Sequence, residues 1–453
     1  LGKEVRIMLF DNFSHMLTYW AETAPDAPAL RYENAVLTHR ALLDAVNART
    51  EEYRASGKTC LGVLADGSLD CVISVFAANL AGLQLVMLDE SLSEAALAPL
   101  IEYTDIDVLW GDPDVTKALA SSLTGGTDRW TGNVLFFTSG TTERAKAVVL
   151  SDTSLMRSAW NGSEKLPLNS RDTLLNILPL NHVFGFVCGL LWGLSSGACV
   201  ALGRGARHYF DDCAFYKPSA VSVVPLLLGY LLRADALNPE LRILLVGAGE
   251  CKPELLDAVK AKGIRLAFGY GLTETSSGVA ISTGGDPYAM EICPDYVVTL
   301  ARDGEILINC PPCMMRGYYK HPAETEKVLI NGVLLTGDLG AFDDKGRLRI
   351  TGRKKDMLVL ADGTKIFLPE YEERLSNVLA RSELAVILRG SRPVLVLYGN
   401  GDKSEILRTI APLMAEYPRG QQLTDVLFTR EPFPRTATGK LKRWELQQKA
   451  GLL

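Results

Sequence analysis

Residues 136–150 read FFTSGTTERAKAVVL. An apolar run at 134–137 ends in Thr138, Ser139, Gly140, Thr141 and Thr142, and a second apolar run begins after Lys146. Four hydroxyls and one glycine in five consecutive residues do not suit the core of a strand. They suit a tight loop whose backbone N–H groups and hydroxyls surround an anion, with Lys146 adding positive charge. That is chemistry for a triphosphate. It is not the Walker loop, because G-x-x-x-x-G-K-[ST] does not occur in the chain. A polar hairpin between two buried strands is the other reading of the same residues.

The elements that must hold this loop follow a regular pattern. Residues 37–56, LTHRALLDAVNARTEEYRAS, have an amphipathic helical period. Residues 60–64 read as a strand, 69–81 as a helix and 83–88 as the next strand. The alternation resumes with strands at 220–224 and 241–246 and helices at 226–232 and 254–262. Such alternation implies an α/β architecture with largely parallel sheets. From about Val297 short strands are separated by Asp303-Gly304, Asn331-Gly332, Asp344-Lys345-Gly346 and Asp362-Gly363, the hairpins of a β-rich subdomain. Beyond Arg353 the chain has helices at 369–380 and 403–417 and strands at 384–388 and 393–398, enough for a small α+β domain. The expected boundary lies within Gly352-Arg353-Lys354-Lys355-Asp356, dividing the chain into 1–352 and 353–453.

Composition narrows the function. A chain of 453 residues is long enough for two or three domains. The net charge of -6 offers no basic face for nucleic acid. LGKEVRIMLFDNF carries charges and no long apolar core, so the N-terminus does not read as a secretory signal. Nine scattered cysteines, an odd number, read as reduced cytoplasmic thiols that fill cores. Cys310-Pro-Pro-Cys313 has no second pair close by, which argues against a metal site. Residues 183–203 carry no charge and place Gly185, Gly189, Gly193 and Gly197 four apart. Either a membrane helix or a buried helix packed on a sheet through its glycines has this pattern. Ser195-Ser196-Gly197 interrupts the run and 198–202 reads as a separate strand, which favours the buried helix and no membrane span.

Four further segments join the hydroxyl loop. Tyr270-Gly271-Leu272-Thr273-Glu274-Thr275 follows the strand-like 265–268, and Thr336-Gly337-Asp338 follows another strand. Gly352-Arg353-Lys354-Lys355-Asp356 sits at the expected boundary, and Pro434-Arg435-Thr436-Ala437-Thr438-Gly439-Lys440 lies near the end. Their order and spacing together resemble the AMP-forming adenylating superfamily, which includes acyl- and aryl-CoA synthetases, adenylation domains of peptide synthetases and firefly luciferase. The resemblance extends over nearly the whole chain and is strongest to the acyl-CoA synthetases, many of which serve fatty acid metabolism.

The resemblance implies a large N-terminal domain that binds ATP and a carboxylic acid, and a small mobile C-terminal domain that rotates over it. A carboxylate attacks the α-phosphate of MgATP, giving acyl-AMP and pyrophosphate. A thiol then displaces AMP and forms a thioester. Thr138–Thr142 and Lys146 would hold the β- and γ-phosphates. Glu274 would hold Mg²⁺ and Thr273 would bond the α-phosphate. Tyr270, with Gly271 beside it, would face the adenine, and Gly247, Ala248 and Gly249 would let the base approach the backbone. Asp338 would accept the ribose hydroxyls and Arg353 would donate from the other side. Lys440 would bridge the carboxylate and the α-phosphate as negative charge gathers there. Lys355 matches the hinge, and Gly363 the loop that admits the pantetheine arm of CoA. His182 matches a position beside the acyl pocket. Taken singly, Glu274 also reads as a surface acid, Lys440 as a tail lysine and His182 as a structural histidine.

The phosphate loop departs from the family pattern TSGTTGxPKGV, with Glu143, Ala145 and Ala147 replacing glycine, proline and glycine. Loss of glycine removes easy access to positive φ, so altered loop dynamics are expected. Asn181-His182-Val183-Phe184 contains no aspartate to pair with an α-amine, which points to a fatty or aryl acid without an α-amino group. No carrier segment with a phosphopantetheine serine follows Leu453, so the thiol is expected in trans, as CoA or as a separate acyl carrier protein. A catalytically silent acyl- or nucleotide-binding homologue is the alternative that the altered loop raises.

Overall fold

The computed structural model describes residues 7–125, 132–138, 146–249, 251, 253–283, 286–360, 365–389, 392–435 and 441–450. Two large mixed sheets form its body. One has six strands in the order Gly317–Tyr318, Ala147–Ser151, Asn133–Phe137, Gln84–Leu88, Cys60–Leu64, Val108–Trp110. The other has nine, in the order Glu291–Ile292, Ser277–Ile281, Arg265–Leu272, Ile243–Val246, Ala220–Val223, Thr173–Asn176, Cys199–Leu202, Pro28–Tyr32, Ala35–Thr38. Every residue of Cys60–Leu64, Gln84–Leu88 and Ile243–Val246 is buried. Parallel strands covered on both faces demand such unbroken apolar runs. This is the α/β architecture that the alternation of strands and helices predicts.

Helices begin where polar side chains replace missing backbone partners. Thr38 Oγ1 accepts from the Ala41 N–H at the start of His39–Ala55, and Ser68 caps Leu69–Leu80 in the same way. Ser151 and Ser154 form a reciprocal capping pair at the start of Asp152–Lys165, directly after the strand that leaves the hydroxyl loop.

Residues 183–195 form the glycine-rich helix. Its middle, Phe186–Leu191, has π-helical i→i+5 bonding, a wide turn found at functional sites. Gly189 and Gly193 face the nine-stranded sheet, while Gly185 abuts the Pro179 backbone and Gly197 the Trp20 ring. A Cβ at Gly189 would lie 2.4 Å from Asn176 Oδ1, and one at Gly193 would lie 2.4 Å from Val200. Close helix-on-sheet packing accounts for the middle pair of the glycine ladder, and contacts to a loop and to the first helix account for its ends. Among the described residues no helix is long and apolar enough to cross a membrane.

A five-stranded sheet follows, built from Val297–Leu300, Glu305–Asn309, Val333–Phe342, Leu329–Ile330 and Leu348–Arg353. Its turns fall at Asp303-Gly304, Asn331-Gly332 and Asp344-Lys345-Gly346, as expected. The Asp362-Gly363 turn lies outside the described residues, between the paired strands Met357–Val359 and Lys365–Phe367. Two segments differ from expectation. Thr336–Gly337–Asp338 does not follow a strand but lies inside Val333–Phe342, because Leu335 pairs with Leu307 on one side and Asp338 with Arg353 on the other. Tyr270, Gly271 and Leu272 likewise continue the strand Arg265–Leu272, antiparallel to Ser277–Ile281.

Hydrophobic cores are separate along the chain. The clusters that bury Phe10, Leu174, Ile308 and Leu348 contain no residue after Leu348. Those around Tyr371, Val386, Leu395 and Leu446 contain none before Leu358. The segment 349–357 lies between the two sets.

Gly189→Val should destabilise the fold by about 2–3 kcal/mol, because overpacking must displace Asn176. Asn176 Oδ1 also accepts from the Leu178 N–H at 3.1 Å. Gly162→Ala, at a half-buried helix position where an added Cβ meets nothing within 4 Å, should instead leave stability equal or raise it by up to about 1 kcal/mol. Urea midpoints of both variants check the contrast.

Candidate active site

The two strands that flank the hydroxyl loop pair antiparallel, with Phe137 opposite Ala147. The Thr138 N–H donates to the Lys146 carbonyl at 3.0 Å and closes the hairpin. Ser139, Gly140, Thr141, Thr142, Glu143 and Ala145 lie outside the described residues. Ala147 is a fully buried strand residue and not part of the loop itself.

Lys146 is held at the mouth of this hairpin by residues far away in sequence. Its Nζ lies 2.9 Å from Glu324 Oε2 and 4.8 Å above the centre of the Tyr318 ring. Tyr318 is placed by a two-residue strand, with Tyr318 opposite Val148 and Gly317 opposite Val149. Gly317 has φ +144, and a Cβ there would meet Thr325 Oγ1 at 3.0 Å, so glycine is required. The Tyr318 hydroxyl donates to Glu274 Oε1 at 2.7 Å. Burial, then the Glu274 charge, pushes the Tyr318 phenol well above its usual range, so it remains a donor. Lys327 and Lys146 hold the Glu324 carboxyl down to about 2.

Glu274 sits in the 3₁₀ turn Thr273–Thr275 that ends the strand Arg265–Leu272. An added Cβ at Gly271 would fall 1.8 Å from the Ser277 carbonyl, so the chain can double back so tightly only with glycine there. The turn is braced from outside: the Met315 N–H donates to the Glu274 carbonyl at 2.8 Å, and Ser276 Oγ donates to the Cys313 carbonyl at 2.8 Å. The Cys310–Cys313 segment is thus a buttress, and all nine cysteines are free. Glu274 Oε2 receives no hydrogen bond among the described residues, and no group of three metal-ligating side chains occurs among them. One carboxylate with a free hard oxygen fits Mg²⁺, which is commonly held by one or two carboxylates, water and substrate phosphates.

Four residues before Glu274 on the same strand, the Tyr270 hydroxyl donates to Asp338 Oδ2 at 2.8 Å. Arg353 Nε lies 2.9 Å from Asp338 Oδ1. Asp338 is 2% exposed, and Arg353 is half-exposed. Burial, then the Asp338 charge, pushes the Tyr270 phenol well above its usual range. Next to Arg353, Lys354 Nζ reaches Glu305 Oε2 at 2.7 Å and Asp303 Oδ2 at 2.8 Å, and Glu305 Oε1 accepts from the Gly337 N–H at 2.8 Å. Lys355 lies in the 3₁₀ turn Lys354–Asp356 that follows.

Gly247, Ala248 and Gly249 follow the strand Ile243–Val246. A Cβ on Gly247 would come 2.9 Å from the Phe184 ring, so that glycine makes room for a side chain of this protein. Ala248, at φ +62, and Gly249 are exposed and leave the backbone open. His182 precedes the π-containing helix, and its carbonyl accepts from the Phe186 N–H at 2.9 Å. Crowding by protein lowers its pKa below the ordinary 6.5, while the Asp89 charge opposes this. Gly363 and Lys440 lie outside the described residues. The chain on either side of Lys440 is anchored by an antiparallel bridge between Arg435 and Leu441.

The structure thus brings Lys146 and Glu274 together through Tyr318, and Tyr270, Asp338 and Arg353 through direct bonds. Sequence reasoning missed Tyr318, Glu324 and Glu305. The nearest signal in the chain is Gly317 before the pair Tyr318-Tyr319, a glycine whose positive φ the fold requires.

Residues 126–319 match the family model described as AMP-binding enzyme. A 2-succinylbenzoate–CoA ligase of Bacillus cytotoxicus is 30% identical over 340 residues, covering 69% of this chain and 69% of that protein. The chain belongs to the AMP-binding enzyme family. A 2-succinylbenzoate–CoA ligase of Bacillus cereus is 26% identical over 484 aligned positions, 97% of this chain and 99% of that protein. The fold matches the O-succinylbenzoate coenzyme A synthetase of Bacillus subtilis in complex with AMP, with TM-score 0.81, 23% identity and coverage of 95% and 98%. An anthranilate CoA ligase in complex with anthranoyl-AMP matches with TM-score 0.79, 20% identity and coverage of 100% and 99%. Members of the AMP-binding enzyme family carry their ligase chemistry on this architecture, and the two bonded clusters occupy its matched segment and the sheet that follows.

Asp338→Ala should leave Arg353 and the Tyr270 hydroxyl without their shared acceptor. Loss of a buried charge with two partners costs about 3 kcal/mol or more locally. The expected result is a rise of roughly a hundredfold in the dissociation constant for AMP, about 2.7 kcal/mol, with Asp338→Asn intermediate. Isothermal titration with AMP reads it directly, and unchanged AMP affinity in Asp338→Ala would remove this carboxylate from the nucleotide site.

Proposed function

We propose that this protein is an acid–CoA ligase that activates an aryl acid lacking an α-amino group. In the first half-reaction a carboxylate oxygen bonds to the α-phosphorus of ATP, the bond from that phosphorus to the bridging oxygen breaks, and pyrophosphate leaves. In the second the sulfur of CoA bonds to the acyl carbon, the acyl–oxygen bond breaks, and AMP leaves. The observation that carries this reading is that Tyr270 and Glu274, four residues apart on one strand and turn, head the two bonded clusters. One nucleotide spans such a pair, with its ribose at Asp338 and its phosphates toward Glu274 and Lys146.

Each residue then has a physical task. Asp338 accepts from the ribose hydroxyls, and Arg353 pairs with that carboxylate from the other side. The ring of Tyr270, fixed by its hydroxyl, lies against the base beside Gly271, Ala248 and Gly249. Thr138, Ser139, Gly140, Thr141, Thr142 and Lys146 hold the β- and γ-phosphates, and Thr273 bonds the α-phosphate. Glu274 holds Mg²⁺, whose charge offsets that of the phosphates. His182 stands beside the reacting carboxylate. Lys440 meets the charge that gathers between carboxylate and α-phosphate. Residues 1–352 and 353–453 act as two domains that turn about Lys355, and Gly363 lies on the path of the CoA arm.

The choice of an aryl acid draws on the substrates named for the relatives, 2-succinylbenzoate and anthranilate.

With ATP, Mg²⁺ and a panel of acids, pyrophosphate release should occur with aryl acids and not with amino acids. Release only with amino acids, or with no acid at all, would overturn the substrate reading. Lys440→Ala should lower adenylate formation by about a hundredfold or more, the usual effect of removing one transition-state charge. It should leave thioester formation from supplied acyl-AMP largely intact. Single-turnover assays of the two halves check this, and equal losses in both would contradict the role of Lys440.

A further inference from the structure

Lys146 does not point freely into the hairpin mouth. It is clamped between the Glu324 carboxylate and the Tyr318 ring. Glu324 divides its two oxygens between two lysines: Oε2 lies 2.9 Å from Lys146 Nζ, and Oε1 lies 2.5 Å from Lys327 Nζ. The Tyr318 hydroxyl meanwhile holds Glu274. One aromatic side chain therefore touches both the phosphate-loop lysine and the carboxylate placed for Mg²⁺.

We infer that Glu324 is a positioning residue that parks Lys146 on Tyr318 in the absence of nucleotide and competes with the outer phosphates of ATP for it. This rests on the placing of Lys146 at the β- and γ-phosphates given above. The competition is electrostatic. A single carboxylate, about a third exposed, holds a lysine weakly. A triphosphate with several anionic oxygens attracts the same ammonium more strongly. Release is inexpensive because Lys327 stays on Oε1 when Lys146 leaves Oε2, so Glu324 is never left without a cation. The Tyr318 face gives the ammonium a favourable surface throughout the swing. In the parked state Lys146 is kept ordered and close to its working position, and the cost falls on ATP affinity.

The inference separates ATP from AMP. AMP has no outer phosphates and does not engage Lys146. Glu324→Gln keeps the shape of the side chain and removes its charge. Titration calorimetry with α,β-methylene-ATP and Mg²⁺ should show binding tightened roughly threefold to fivefold in Glu324→Gln, as expected for loss of one partly exposed ion pair. AMP affinity should not change. The gain should vanish when Lys146→Met is present in both members of the comparison, which makes a double-mutant cycle. Thermal melting of each variant without nucleotide verifies that it is folded.

Unchanged or weaker binding of the ATP analogue in Glu324→Gln overturns the inference while leaving the ligase reading intact. Equal tightening for AMP and the ATP analogue overturns it too, since the effect would then be general. A gain that survives Lys146→Met shows simple repulsion between Glu324 and phosphate, with no parked lysine. Failure of the wild-type protein to bind either nucleotide sinks both the ligase reading and this one.

Discussion

A carboxylate taken out of water must be paired, and Asp338 is nearly fully buried in the middle of a strand. Its two oxygens are met by Tyr270 from the nine-stranded sheet and Arg353 from the adjacent hairpin strand. Those bonds tie the β-rich sheet to the end of the large sheet. They also set where Glu274 falls, because Glu274 lies one short turn beyond Tyr270. A second buried carboxylate, Glu305, repeats the device one residue further on by holding both Lys354 and the backbone of Gly337. Arg353 and Lys354 are thereby fastened to the sheet. The proposed hinge residue, Lys355, follows directly in the turn Lys354–Asp356.

The Lys146–Glu274 cluster is organised differently. Its members come from positions 146, 274, 318 and 324, and they meet because a two-residue strand adds Tyr318 to the edge of the six-stranded sheet. Backbone pairing places the tyrosine, and the tyrosine then orients a lysine and a glutamate of opposite charge. This cluster depends on one sheet edge, whereas the Asp338 cluster depends on buried charge.

Much of the fold was legible in the chain. Continuous apolar runs marked Cys60–Leu64 and Ile243–Val246, and Asp-Gly and Asn-Gly pairs marked the hairpins. The glycine ladder also read correctly as close helix packing. The segments carrying Glu274, Asp338 and Arg353 were legible through resemblance, not through composition, since each is too short to be informative alone. Tyr318 and Glu324 were not legible. A strand of two residues leaves no periodicity, and an ion pair between positions 146 and 324 has no local signal. Thr336–Asp338 was expected just after a strand, but pairing on both sides extends the strand through it.

The π-helical stretch Phe186–Leu191 amounts to one residue more than an α-helix of the same span would use. The Cys188 carbonyl within it accepts from Ser222 Oγ at 2.9 Å, so a neighbouring strand supports the wide turn. The extra residue sets a phase difference between the two ends of one rod. The C-terminal end turns Gly193 onto the sheet, while the N-terminal end turns Phe184 onto Gly247. An uninterrupted α-helix one residue shorter would rotate the His182–Phe184 end by about 100° if Gly193 kept its seat. The contact of Phe184 with Gly247 and the packing face of the helix are thus two dial settings on the same shaft, and the bulge is the offset between them.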